Sequence, residues 1–379
     1  MQSNEPIERI AIIGDTHFNR KAENPLIRRN IANGQKAFFE KTIAELKEKG
    51  VHTVIFTGDI FDNRQILDIQ SINDTIKLFR DDMRDFDVRI VLGNHDLYYE
   101  NSYDTSSLSI LENLPNVRVY RNGIEEDEII GYRFVFFPWI IPDAMPEAVK
   151  KLEEMANDPA DVKHKTVIVG HFDIMGMVME GKNISVEGMD RNMFFKAARL
   201  TISGHYHGQS HVRSTDSTII YVGSPYQMTF NNVGEKHGYW IMESSGKFSF
   251  TENTVSPKFA DVWDTDDLDN LPDLGNCFVR LYSSNENTAE QDFNNKIRVE
   301  VKKPILIRHV PYDKDCAEIE EEDQPEGVES AGKILKMNIR SLSELYIDNN
   351  EDSLPSLTSG DDARKVVLKQ IDEYEKNIL

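Results

Sequence analysis

Cysteine is nearly absent from this chain of 379 residues: Cys277 and Cys316 are the only two, at a spacing that makes neither a zinc ribbon nor a disulfide framework. A reducing compartment is the natural setting. Long apolar runs are missing as well. No uncharged stretch approaches the roughly 20 residues of a membrane-spanning helix, and Met1-Gln2-Ser3-Asn4-Glu5-Pro6 lacks the basic and apolar regions of a secretory signal. Positive charge is scarce too, with 43 Lys and Arg against 65 Asp and Glu and a net charge of -22. Residues 251–379 hold 29 acidic and 15 basic residues, so the excess is concentrated in the C-terminal third. Counterion release needs clustered Lys and Arg, so the bare chain is expected to grip nucleic acid weakly. If it handles DNA, a partner supplies much of the grip.

What is present is a recurring segment. Gly14-Asp15-Thr16-His17, Gly58-Asp59-Ile60-Phe61-Asp62, Gly93-Asn94-His95-Asp96, Gly170-His171-Phe172-Asp173 and Gly204-His205-Tyr206-His207-Gly208 each follow an apolar run. Runs such as Ile10-Ala11-Ile12-Ile13 and Thr166-Val167-Ile168-Val169 are continuously apolar, the pattern of strands covered on both faces. The glycine is expected to free the backbone to turn, and the residue after it offers an oxygen or nitrogen ligand. One Gly-Asp alone reads as a turn whose carboxylate caps a helix. Five repeats holding five of the ten histidines favour coordination. Asp, Asn and His donors without thiolates suit two divalent ions, Mn²⁺ before Fe²⁺ or Zn²⁺. Two such ions about 3.5–4 Å apart can clamp both sides of a phosphoester.

Residues 7 to about 250 alternate strand and helix patterns, implying βαβ units with the ligands at the carboxyl ends of strands. Helices are expected over Ile27 to Lys49 and Ile66 to Phe86, and strands over Thr53 to Thr57 and Val88 to Leu92. Val117 to Trp139 suggests a hairpin turning at Asn122-Gly123, and Ser217 to Phe250 is β-rich, so a second sheet should pack on the first. The expected fold is α/β, a two-sheet αββα sandwich. Domain boundaries are placed at 1–256 for this sandwich, 257–315 for a small α/β module, 316–333 for an acidic linker and 334–379 for a helical segment. In the last, Val367, Ile371, Tyr374 and Ile378 form one apolar stripe, which fits docking on the chain's own body or on a partner.

The five segments resemble those of the calcineurin-like metallophosphoesterase superfamily over roughly residues 7 to 230. Their order, followed by Gly223-Ser224-Pro225-Tyr226-Gln227, is similar to the SbcD-like double-strand-break repair nuclease branch, which includes recombination endonuclease subunits of T-even-type phages. The resemblance implies that Asp15, His17 and His207 bind one metal, that Asn94, His171 and His205 bind the other, and that Asp59 bridges them. It gives His95 a catalytic role facing the scissile phosphate, with Asp96 orienting its ring. Asp62 and Asp173 are expected to support the ligands or cap helices, and His211 and His237 to lie outside the site.

The resemblance further implies a Mn²⁺-dependent DNA exonuclease and endonuclease subunit with a capping domain at 257–315. An SMC-like coiled-coil ATPase would bind through the C-terminal helices, in the cytoplasm, or the host cytoplasm if the chain is phage-encoded. A homodimer stays open, and no membrane association is expected. Phe18-Asn19-Arg20-Lys21 departs from the family's usual Gly or Leu-Gly after the first His, and Arg20, Lys21, Arg28 and Arg29 form a basic cluster there. The cluster reads as a solvated helix face or a phosphate-backbone contact. The competing function is a phosphoesterase of the same superfamily acting on a small molecule or phosphoprotein. A scaffold without chemistry is disfavoured by the full ligand set.

Overall fold

Continuously apolar strands need cover on both sides, and the fold supplies it with two stacked sheets clad by helices. The computed structural model describes residues 7–20, 24–179 and 183–313. In chain order these give β1 (Arg9–Ile13), α1 (Pro25–Glu48), β2 (Thr53–Phe56), α2 (Ile69–Lys77), β3 (Asp87–Val91), β4 (Val117–Tyr120), β5 (Glu125–Ile129) and β6 (Tyr132–Phe137). Then follow α3 (Met145–Ala156), α4 (Ala160–His164), β7 (Thr166–His171), α5 (Arg191–Ala197), β8 (Leu200–Gly204), β9 (Ser210–Arg213), β10 (Thr218–Tyr221), β11 (Gly238–Glu243) and β12 (Phe248–Glu252). The last described elements are β13 (Lys258–Trp263), β14 (Cys277–Ser284), α6 (Ala289–Glu300) and β15 (Leu306–Tyr312).

The first sheet has the order β12-β11-β1-β2-β3-β4 and the second β5-β6-β7-β8-β10-β9. β1 to β4 are mutually parallel, as are β6, β7, β8 and β10. Alternation along each strand builds three layers of core. Ile10, Ile12 and Ile55 of the first sheet meet Phe134, Phe136, Val167 and Val169 of the second between the sheets. The opposite faces carry Ala11, Ile13, Val54 and Phe56, under Phe38, Phe39 and Leu46 of α1. Val135, Phe137 and Ile168 lie under Leu152 and Met155 of α3 and Phe194 of α5. The α/β two-sheet sandwich is therefore as expected.

Two local expectations differ. The strands flanking Asn122-Gly123 do not form a hairpin: β4 pairs in parallel with β3 in the first sheet, whereas β5 pairs with β6 in the second. The chain crosses between sheets at Asn122-Gly123. The hairpin lies one step later, where Ile130 and Gly131 take φ of 48° and 76°, the double left-handed turn that matches strand twist. The helix expected from Ile66 starts at Ile69, because Asp68 caps it by accepting from the Ser71 N–H at 2.9 Å. It continues past Lys77 as a π-helical turn, Leu78–Asp82, that buries Leu78 and Phe79.

After β12 the chain forms a third, all-parallel sheet, β13-β14-β15, with α6 closing its small core through Val299. Phe259 and Phe278 of this sheet pack with Ile31 of α1. The acidic linker and the striped C-terminal segment lie outside the described residues. No described helix is long and apolar enough to cross a membrane.

Candidate metal centre

Five parallel strands, β1, β2 and β3 of one sheet and β7 and β8 of the other, deliver their carboxyl ends to one place. The glycines there act differently from the sequence expectation. Only Gly58 takes a positive φ, at 107°, while the left-handed conformation falls on His17, Asp59 and His205 themselves (φ 43°, 51° and 94°). Holding non-glycine residues there costs on the order of 1–3 kcal/mol each, which the surrounding fold must offset. Gly93 is required by close approach instead: a Cβ there would sit 2.2 Å from the Asp59 amide nitrogen and from its Oδ1.

The donors converge in two groups. Ligand atoms of Asp15, His17 and His207 lie within 4.8 Å of one another, as do those of Asp15, Asp59 and His171. Asp59 Oδ2 lies 3.3 Å from His171 Nε2 and 3.6 Å from His17 Nε2, between the two groups. Asn94 Oδ1 lies 2.9 Å from His171 Nε2 and 3.2 Å from His205 Nδ1. All seven residues nominated as ligands are thus brought together. Asp15 and His171 are fully buried, and Trp139 packs against the His171 and His205 rings at 5.9 and 5.2 Å. Trp139 carried no signal in the sequence, standing alone after a strand.

Hydrogen bonding sets the tautomers. His171 Nδ1 faces the Thr57 carbonyl at 2.8 Å, so it carries the proton, and its Nε2 lone pair then points at Asn94 Oδ1 and Asp59 Oδ2. His17 and His207 likewise set Nε2 against Nε2 at 2.9 Å. Asp15 Oδ1 accepts from the His205 N–H at 2.9 Å, while its buried Oδ2 has no hydrogen-bond partner. Acceptors facing acceptors in a buried space are repulsive unless a cation or a proton sits between them. The donor set therefore fits divalent ions.

Protonation is the substitute when no ion is present. Burial opposes charge on His171, but Asp59 and Asp15 outweigh it and push its pKa up to about 9. Burial also opposes charge on Asp59, and the His171 imidazolium overrides it, holding the carboxyl far below the usual range. His205 is driven down to about 3 by burial and by His171. His17 is lowered, chiefly by burial.

The residues nominated as catalytic divide. His95 is half-buried beside the donors, its ring centroid 5.0 Å from that of His17. Asp96 does not orient it. The fully buried Asp96 carboxylate accepts from the amides of Ile60 (3.0 Å), Phe61 (3.2 Å) and Gly93 (3.0 Å), fastening two ligand loops together. Burial and the Asp59 charge push Asp96 up to about 8, against the Gly93 and Phe61 N–H donors. The His95 ring is held by Asp62, whose carbonyl accepts from Nδ1 at 2.8 Å. The Asp62 side chain meets Arg20 at 3.1 Å and His17 Nδ1 at 3.3 Å. Asp62 thus joins a donor, the His95 ring and the first arginine of the sequence's basic cluster, whose Lys21 lies outside the described residues.

Asp173 stands apart, accepting from Tyr206 Oη and Ser185 Oγ to tie down the loop after β7. His237 is buried and bonded to Ser224, and His211 is exposed on β9.

Exonuclease subunit 1 of Enterobacteria phage T4 is 26% identical over 242 residues, 62% of this chain and 65% of that protein's length. A putative phosphoesterase of Invertebrate iridescent virus 3 is 27% identical over 256 residues, covering 66% of this chain and 67% of its own. Among solved structures, the Plasmodium inner-membrane-complex anchor GAP50 superposes with a TM-score of 0.44 at 14% identity, over 66% of this chain and 86% of its own. A dimetal phosphatase from Danio rerio gives 0.41 at 12% identity, over 62% and 92%. Residues 8–209, more than half of the sequence and all but the last strands of the sandwich, match the calcineurin-like phosphoesterase family, and the chain belongs to it.

Proposed function

We propose that this protein is a two-metal phosphodiesterase that cleaves DNA, a nuclease subunit for end processing, recombination and repair, with Mn²⁺ as its ion. The observation that carries the reading is the convergence of His171 Nε2, Asn94 Oδ1 and Asp59 Oδ2 in a buried space beside Asp15, whose Oδ2 has no hydrogen-bond partner. Asp15, His17 and His207 would hold one ion, Asn94, His171 and His205 the other, with Asp59 between. Bound divalent ions supply Lewis-acid activation of the phosphoester and of the attacking water.

The chain's own residues do the rest. The Asp62 carbonyl fixes the Nδ1–H tautomer of His95, so Nε2 is the atom that gains and loses a proton. A protonated Nε2 donates to the leaving oxygen as it departs. Burial of Asp15, Asp59 and His171 excludes bulk water and strengthens each polar contact.

Nucleic acid is favoured over a phosphoprotein by the likeness to a phage exonuclease subunit and by Tyr98 and Tyr99. These exposed rings pack edge-to-face at 4.7 Å, three and four residues after His95, where unpaired bases could stack. The acidic chain would borrow DNA affinity from an SMC-like ATPase bound by residues 334–379, with residues 257–315 as a capping domain.

The test is a cleavage assay with Mn²⁺ on single-stranded and duplex-end DNA, with and without the ATPase. DNA degradation is expected. Turnover of phosphopeptide or cyclic nucleotide with no DNA cut under either condition would reject the nuclease assignment. Deleting Asp361 to Leu379 should abolish ATPase binding and spare hydrolysis of a simple phosphodiester.

A further inference from the structure

The loop carrying His205 and His207 leads directly into β9, the edge strand of the second sheet. Along β9 runs an open cleft of about 670 Å³, lined by His164, Arg199, His211, Arg213, Trp240 and Phe248 among others. Strand register gives the cleft a direction. Ser210 pairs with Tyr221, which pairs with Ser203 at the metal end of β8. Arg213 pairs with Thr218, which pairs with Leu200 at the far end. The cleft therefore begins beside the donor loop and ends at Arg199 and Arg213. Six residue steps of extended chain lead from Arg199 to His205, a reach of roughly 20 Å.

Most arginines of the body answer carboxylates, and the two at that end do not. Arg9, Arg89, Arg118, Arg121 and Arg133 all answer carboxylates. Among the described residues Arg199 and Arg213 pair with none, and Asp216 is the one acid in the cleft lining. Arg199 donates from Nη1 to His164 Nε2 at 2.7 Å, which fixes its guanidinium in place without neutralising it. Trp240 and Phe248, stacked at 4.7 Å, form an apolar wall. In a chain of net charge -22, a concave surface with uncancelled arginines selects for an anion. A cleft open along its length suits a strand better than a compact ligand.

We infer that this cleft binds the phosphodiester backbone of a nucleic-acid strand running from the metal centre along β9, with Arg199 and Arg213 as its distal phosphate anchors. The inference rests on the nuclease reading above and adds a second contact about six nucleotides from the cut, at 3.4 Å per nucleotide.

The experiment compares the full-length wild type with R199E/R213E and R199K/R213K. Three readouts are taken: Mn²⁺-dependent hydrolysis of bis-para-nitrophenyl phosphate, DNA anisotropy across a salt series, and AMP binding by calorimetry. The Glu variant should hydrolyse the small diester at the wild-type rate and bind DNA at least about tenfold more weakly, with a salt slope shallower by about 2. The Lys variant should keep the slope. Equal DNA affinity and slope in wild type and Glu variant would overturn the cleft assignment alone. Loss of AMP binding with DNA affinity retained would make the cleft a mononucleotide site and overturn it as well. A wild type that hydrolyses the diester but neither binds nor cuts DNA, alone or with the ATPase, would overturn the nuclease reading and this inference together.

Discussion

Replacing Asp96 separates two roles for a buried carboxylate. In the structure Asp96 accepts three backbone N–H bonds, from Ile60, Phe61 and Gly93, at 3.0–3.2 Å, while the His95 ring bonds to the Asp62 carbonyl instead. Asp96→Ala leaves three buried donors without an acceptor. At about 1–3 kcal/mol each, with partial relief from water entering the space, the loss should be about 3–5 kcal/mol. Asp96→Asn keeps one oxygen for Ile60 and Phe61 but turns an NH₂ group toward the Gly93 amide, so about 1–3 kcal/mol should go. The assay is urea unfolding of the full chain in chelator, followed by tryptophan fluorescence, with metal content measured in parallel. Both variants should unfold earlier and bind metal more weakly, because Asp59 and Asn94 sit on the loops that Asp96 fastens. If Asp96→Asn unfolds like wild type, keeps its metals and loses only cleavage, then Asp96 works through His95 and the scaffold role is wrong.

His95→Ala should lower cleavage by about 10²–10⁴-fold while leaving two metals bound, read by elemental analysis beside a rate measurement. Gly93→Ala puts a Cβ 2.2 Å from the Asp59 amide and Oδ1, so metal affinity should fall about 10–100-fold in calorimetry; unchanged affinity would mean the loop yields at no cost. Glu126 tests acid stability. Hydrogen bonding to Arg133 outweighs partial burial and, with Lys151, holds its pKa down to about 2 from 4.5. A depressed carboxyl stabilises the fold above its ordinary pKa and loses that contribution as pH falls from about 4.5 toward 2. After discounting for solvent screening of a group 37% exposed, the contribution is about 1 kcal/mol. Glu126→Gln should therefore be less stable at pH 7, equal to wild type near pH 2, and flatter between.

The centre was legible because each donor occupies the same local context, a glycine-flanked exit from an apolar strand, so chemistry and position were encoded in one short window. The Asp62 carbonyl on His95 was not, since a backbone acceptor leaves no mark on residue type. The resemblance assigned Asp96 to the His95 ring, whereas its carboxylate turns to the amides of Ile60, Phe61 and Gly93. The Asn122-Gly123 hairpin failed because local turn propensity does not reveal which sheet receives the next strand. The true turn at Ile130-Gly131 was masked by a β-branched residue in a conformation it rarely adopts.

We propose that seven side chains on five strand ends hold two ions. Anomalous diffraction from Mn²⁺-soaked crystals, with solution stoichiometry, tests it most directly. Two ions per chain about 3.5–4 Å apart, with Asp59 touching both, is the predicted result. One ion, or two that share no ligand, would contradict it.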